Sequence, residues 1–171
     1  GDKTAAYENV EIPAQSKPSS WLDSFRRQNV FLDLKKDRRQ IDYREYLSKI
    51  TADRIIHLSE LVKKETGGTS LFLVFYGYTF ELTYGDTGHS AAGRILKCPT
   101  IDLLASPVSY WERQAGGAAS FMNAADSIQL HDKIWFAEDD TRTYLCKVER
   151  KDGSFNHKME TESDTKAAHV R

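Results

Sequence analysis

The sequence predicts an α/β fold in which parallel strands alternate with helices. Three short apolar runs carry this prediction, and they begin near residues 71, 101 and 133, about 30 residues apart. That spacing is close to the repeat of a strand–helix unit. A long helical pattern that ends at Gly67-Gly68 stands directly before the first run. Helix, turn and buried strand in this order favour a parallel sheet.

Length and composition are typical of one globular domain. The chain has 171 residues, of which 40% are hydrophobic and 29% charged. A net charge of −1 argues against a nucleic-acid-binding protein, because such proteins carry a basic excess. No apolar run approaches the roughly 20 residues that a membrane helix needs, and we expect no membrane partner. No signal-peptide pattern stands at the start, and the compartment stays open.

We expect neither a cofactor nor a metal. The sequence has no glycine-rich phosphate loop, no specific Ser-His-Asp or Cys-His set, and no metal-ligand spacing. Cys98 and Cys146 are the two cysteines, and free thiols are the favoured prediction, although a disulfide stays open.

Residues 1–30 contain two prolines and several small polar residues, which predicts an N-terminal arm. A short helix is compatible with the apolar spacing from Trp21 to Phe31. Residues 31–171 are predicted to form the α/β domain. Its clearest helix runs roughly from Asp42 to Glu65, with Asp42 as the N-cap and an apolar stripe formed by six residues: Tyr43, Leu47, Ile50, Leu58, Leu61 and Val62.

The three apolar runs are the predicted strands: Leu71–Tyr76, Ile101–Ala105 and Ile134–Ala137. Because none of them alternates with polar residues, we expect each strand to be covered on both faces. A shorter helix is predicted from Ala91 to Lys97, and another begins at Ser163. The long glycine-rich segment from Ser106 to Asn123 is predicted to be a functional loop.

Three strand–helix units make an incomplete sheet compared with a (β/α)8 barrel, which needs about 250 residues. The chain is therefore expected to be a small three-layer α/β domain or a piece of a larger fold. An end that falls just inside a helix favours the piece.

Polar and aromatic residues follow each predicted strand. They are Tyr76, Tyr78, Glu81 and His89 after the first, Ser106 and Tyr110 after the second, and Glu138, Asp139, Asp140 and Arg142 after the third. Parallel strands would bring them to one edge of the sheet. Aromatic rings mixed with carboxylates and hydroxyls predict a carbohydrate site.

Structural alternatives stay open for these residues. The two tyrosines could close the top of the sheet, and Glu81 could be a surface charge. Arg142 could only neutralise Asp139 or Asp140, and the three consecutive carboxylates could be a solvated turn.

Three segments in this order resemble the catalytic-barrel motifs of β-galactosidase-like glycoside hydrolases of the family 42 type. They are Phe75–Tyr78, Pro99–Pro107 with Ser109-Tyr110, and Lys133–Thr143. The stretches Asp37–Tyr43 and Lys64–Gly68 also fit, and the resemblance covers roughly residues 30 to 145.

The resemblance implies part of a (β/α)8 TIM barrel, with the three strands as the fifth to seventh. It also implies a retaining glycosidase in which Glu138 matches the nucleophile, kept ionised by Arg142 and neighbouring hydrogen bonds. Substrate would contact nine residues: Tyr76, Tyr78, Glu81, His89, Ser106, Tyr110, Trp135, Asp140 and Arg142.

The acid/base glutamate of that family follows the fourth strand, and nothing before residue 30 resembles it. We therefore expect that the chain alone is not a competent glycosidase. Its expected partners are a carbohydrate, and either the remainder of a barrel or a second copy. Two other functions stay open: a non-catalytic carbohydrate-binding or interaction module, and a structural α/β domain with an incidental acidic cluster.

Overall fold

A computed structural model describes residues 32–147 and 159–170, together with residues 12–13. The predicted arm, apart from residues 12–13, and the possible helix from Trp21 to Phe31 lie outside these ranges. Within them the elements run in the order α1 (Arg38–Glu65), β1 (Leu73–Phe75), α2 (Thr79–Leu82), α3 (Ala92–Leu96), β2 (Leu103–Pro107), α4 (Ala125–Gln129), β3 (Ile134–Glu138) and α5 (Glu162–His169).

The three strands form one parallel sheet in the order β1-β2-β3. Leu73 pairs with Leu103, which pairs with Ile134 on its other side. The predicted α/β class with parallel strands is therefore confirmed. The strand positions are right to within two residues, whereas α2 and α4 were not predicted.

The core lies on the face of the sheet that α1 and α3 cover. Its centre is formed by Ala52, Tyr76, Ile95, Cys98, Ile101, Leu104 and Ile128. Val74, Leu104 and Trp135 occupy matching positions on the three strands and contribute to this face. Both cysteines are free thiols, as predicted.

The predicted stripe of α1 is wrong in part, because Leu58 and Leu61 are 53% and 43% exposed. The buried positions are instead Ser48, Ala52 and Ser59. Small side chains let a helix backbone approach its neighbours closely. The Ser59 hydroxyl lies 2.6 Å from Thr100 Oγ1, so its burial leaves no unsatisfied hydroxyl.

The start of α1 also differs from the prediction. The helix begins at Arg38 with Asp37 at the N-cap, and no side-chain capping bond is present. Asp42, the predicted cap, pairs with Arg38 one turn earlier at 2.9 Å. At the other end Gly67 and Gly68 take φ values of +59° and +79°, which end the helix as predicted.

The expectation that each strand is covered on both faces is wrong for β1 and β3, whereas β2, which lies between them, is mostly buried. Leu73, Phe75, Ile134 and Phe136 on the two outer strands are 39–58% exposed within the described part of the chain. Phe75 and Phe136 flank the buried Ala105 across the sheet. An apolar run in a sequence does not show how many layers of structure pack on the strand. Within the described residues, helices cover one face of this sheet.

Charged side chains tie the N-terminal ends of the strands together. Asp102 accepts hydrogen bonds from Lys63 Nζ and from the Phe72 N–H, both at 2.7 Å. Lys133 donates to the carbonyl oxygens of Cys98 and Ile101 at 2.6 Å. Burial raises the pKa of the Asp102 carboxyl, but the bonds from Lys63 and Phe72 outweigh it and the pKa falls below its ordinary value of 3.8.

No helix in the described ranges combines the length and the apolar character that crossing a membrane requires.

Asp102→Asn is expected to lower the free energy of unfolding by about 1–2 kcal/mol near neutral pH, because hydrogen bonds to a charged group are lost. The wild-type advantage should vanish as the pH falls below 3.8 through the lowered pKa, since the carboxyl is then protonated in both states. Urea denaturation at several pH values measures both effects. Asp42→Asn, in an exposed pair, is the control and should cost much less; equal losses would contradict the role of Asp102.

Candidate functional site

The C-terminal ends of β1, β2 and β3 meet at one edge of the sheet. Pro107 pairs with Glu138, and the Val108 N–H donates to the Glu138 carbonyl at 3.3 Å. We call the residues at this edge the rim: 76–81, His89, 106–113 and 138–142. The rim contains all the predicted site residues except Trp135.

Tyr76 lies at the rim but is fully buried. Its hydroxyl donates to the Gly88 carbonyl at 2.8 Å and accepts from the Ala91 N–H at 3.1 Å. Tyr76 therefore holds the loop between α2 and α3. Its predicted role in substrate contact is wrong, because no surface is left for a ligand to touch.

Ser106 and Trp135 contact each other and contribute to packing. Ser106 is fully buried and accepts a hydrogen bond from Trp135 Nε1 at 3.2 Å. The Trp135 ring packs against the core and against Phe121, with ring centroids 4.4 Å apart. Direct substrate contact is thus excluded for Ser106, and Trp135 is committed mainly to packing.

His89 is held by two tyrosines. Its ring stacks on Tyr76 with centroids 4.8 Å apart and meets Tyr78 edge-on at 5.9 Å. The Gly77 N–H donates to His89 Nδ1 at 3.3 Å. Burial lowers the pKa of His89, and the nearby charge of Glu81 acts in the opposite direction.

Tyr78 interacts with two carboxylates of the rim. Its hydroxyl donates to Glu81 Oε1 at 3.0 Å. Burial raises the pKa of Tyr78 far above its ordinary value, and the charges of Glu81 and Glu138 add to that effect. Tyr78 is thus hydrogen-bonded to Glu81 and also feels the charge of Glu138.

The buried cation of the rim is Arg113, which the sequence did not identify as a site residue. Its side chain is 3% exposed, and Nη2 lies 2.6 Å from Asp140 Oδ1. The guanidinium also donates to the carbonyl oxygens of Ser109 and Val108 at 2.6 and 2.8 Å. It stands 4.4 Å from the Tyr110 ring centroid, which is a cation–π contact.

Arg113 rather than Arg142 neutralises the acidic segment. Among the described residues Arg142 makes no ion pair with Glu138, Asp139 or Asp140, and its buried Nη1 has no hydrogen-bond partner. The predicted support of Glu138 by Arg142 is therefore wrong. The only sequence signal for Arg113 was its position in the long aromatic loop; its burial could not be seen.

The three consecutive carboxylates have different surroundings. Asp140 pairs with Arg113, and Asp139 accepts the Thr141 N–H at 2.9 Å. Burial raises the pKa of Asp139, but the hydrogen bonds from Thr141 outweigh it and lower the pKa. Glu138 is exposed at the end of β3, and its carboxylate makes no hydrogen bond with the described part of the chain. Glu138 is thus available to a ligand.

In the residues that the structure describes, no three His, Cys, Asp or Glu side chains are grouped as a metal site would require. A scan against protein-family models, a search of curated proteins and a search of solved structures each found no match.

Arg113→Met should lower the free energy of unfolding by about 3 kcal/mol, because Asp140 and two carbonyl oxygens lose a buried cationic partner. Urea denaturation followed by tryptophan fluorescence measures the loss. Arg142→Met removes the same charge from the same rim without breaking an ion pair among the described residues, and it should cost less than about 1 kcal/mol. Equal losses in the two variants would contradict the assignment of Arg113 as the structural cation.

Proposed function

We propose that this chain is carbohydrate-active and that Glu138 is the nucleophile of a retaining β-galactosidase-like glycosidase centre. The observation that carries the proposal is the position of Glu138. It ends a parallel strand beside aromatic and polar side chains, and its own carboxylate is not used in the described structure. Strand ends at this edge are where α/β enzymes place their catalytic groups.

The surroundings of Glu138 suit a sugar. Tyr78 and Tyr110 supply rings for the apolar face of a pyranose, and Glu81 and His89 supply polar atoms for its hydroxyls. The charges of Glu138, Asp140 and Arg113 all act on the Tyr110 hydroxyl, which places it among the acidic groups of the rim.

In the proposed chemistry the Glu138 carboxylate attacks the anomeric carbon while the glycosidic C–O bond breaks. The leaving oxygen takes a proton from a second carboxyl group, about 5–5.5 Å from the first in retaining enzymes. The family resemblance places that acid on a strand that precedes the three described here. The chain alone should therefore react only where the leaving group needs no proton.

The sheet also supports an origin in a (β/α)8 barrel. Helices cover one face, and the exposed apolar residues Leu73, Phe75, Ile134 and Phe136 lie on the other. In a barrel that second face is packed inside. The proposed partner is the remainder of such a barrel or a second copy of the chain.

A second candidate function is that of a non-catalytic carbohydrate-binding module. The observation in its favour is that Tyr78, Glu81 and His89 form a polar and aromatic cluster that does not include Glu138. Such a cluster could bind a sugar without any chemistry.

A glycosyl fluoride tests the nucleophile without an acid catalyst. With a 2-deoxy-2-fluoro-β-galactosyl fluoride, we expect the Glu138 oxygen to bond to the anomeric carbon and fluoride ion to leave. The adduct should appear by mass spectrometry on the peptide that contains Glu138. An unactivated β-galactoside should not be hydrolysed by the chain alone.

Glu138→Gln should abolish the adduct, whereas Asp139→Asn should retain it and serves as the matched neighbour. An adduct on another residue would refute the assignment of Glu138. Binding of a galactoside with no adduct at all would favour the non-catalytic module.

A further inference from the structure

We propose that His89 and Glu81 form a donor–acceptor pair that binds two neighbouring hydroxyl groups of a neutral sugar, with His89 acting as the Nε2–H tautomer. This inference rests on the proposed function of the rim as a carbohydrate site. It adds to the expected substrate contacts of these two residues which of them donates and which accepts.

The tautomer follows from the backbone of Gly77. Its N–H donates to His89 Nδ1, so that nitrogen carries a lone pair and the neutral ring carries its proton on Nε2. Gly77 has a φ of +71°, and a Cβ there would lie 3.2 Å from the Ala92 side chain. The backbone conformation that aims this N–H at His89 is thus specific to glycine.

The ring of His89 is held in place from several sides. Tyr76 stacks on it, and the Tyr76 hydroxyl is fixed by Gly88 and Ala91. Gly88 packs so closely on α1 that an added Cβ would come within 2.7 Å of Thr51 Oγ1. Nε2 makes no hydrogen bond with the described residues. The structure therefore supports one nitrogen of the ring and leaves the other for a ligand.

Glu81 supplies the acceptor. One of its oxygens accepts the Tyr78 hydroxyl at 3.0 Å, which orients the carboxylate. A carboxylate has about four acceptor sites, so most of them remain for a ligand. The same Tyr78 meets the His89 ring edge-on, with ring centroids 5.9 Å apart, so the donor and the acceptor are neighbours.

The chemistry of this pair selects the class of ligand. A sugar hydroxyl both donates and accepts, so two adjacent hydroxyls match one N–H donor and one carboxylate acceptor. Tyr78 adds a ring that can contact the C–H face of a pyranose. The negative charges of Glu81 and Glu138 disfavour phosphorylated or carboxylated ligands.

The groups that face His89 predict how binding varies with pH. Tyr76 and Tyr78 contribute neutral rings, Glu81 of α2 contributes a negative charge, and Arg94 of α3 acts on Tyr76. Protonation of His89 would place a second N–H against that of Gly77. Because burial holds the pKa of His89 below its ordinary value of 6.5, binding should be constant near neutral pH and fall only below 6.5.

Two substitutions of His89 distinguish the roles of its two ring nitrogens. In His89→Asn the amide oxygen can still accept from Gly77, but the donor at the Nε2 position is gone. In His89→Gln an N–H donor is retained near that position. With methyl β-galactopyranoside as the probe, His89→Asn and Glu81→Gln should each bind about tenfold more weakly, and His89→Gln within about threefold of wild type.

Titration calorimetry measures these affinities, and nitrogen NMR of the unsubstituted chain reports the tautomer directly. A proton on Nδ1, or His89→Asn binding as tightly as wild type, would overturn the pair while leaving the proposed function intact. Failure of the wild-type chain to bind any neutral glycoside would overturn both.

Discussion

The described structure depends on the buried hydroxyl of Tyr76. The ring belongs to the core beneath the sheet, and the hydroxyl binds Gly88 and the Ala91 N–H at the start of α3. One side chain therefore fixes the end of β1, the loop above it and the ring of His89. A buried hydroxyl that lost these partners would carry an unfavourable desolvation cost, so the arrangement is strongly specified.

Much of the architecture was predictable because it is encoded locally. Apolar runs at a regular spacing give parallel strands, and a glycine pair ends α1. Packing was less predictable, since it depends on neighbours that are distant in sequence. Hydropathy selects Leu58 and Leu61 for the buried side of α1, whereas the structure buries the small residues Ser48, Ala52 and Ser59.

The sequence predicted at which edge of the sheet the site residues lie, but not which of them pair with one another. Parallel strands bring Tyr78, Glu81 and Glu138 to one edge, as their places after the strands indicated. The cation was chosen wrongly because Arg142 is adjacent in sequence. The cation that reaches Asp140 is Arg113, from the loop that follows β2. Contact between residues this far apart is decided by loop conformation, which a single sequence does not reveal.

In the acidic segment 138–140, the contacts of each carboxylate determine which of the three is open to a ligand. Three adjacent carboxylates repel one another, and the structure relieves this by committing two of them: Asp140 to Arg113, and Asp139 to the Thr141 N–H. These contacts hold Asp139 and Asp140 within the structure. The remaining one, Glu138, is exposed at the rim, and its charge acts on Tyr78, whose hydroxyl donates to Glu81. The contacts that engage Asp139 and Asp140 leave the Glu138 carboxylate open to a ligand, which is the basis of its proposed role.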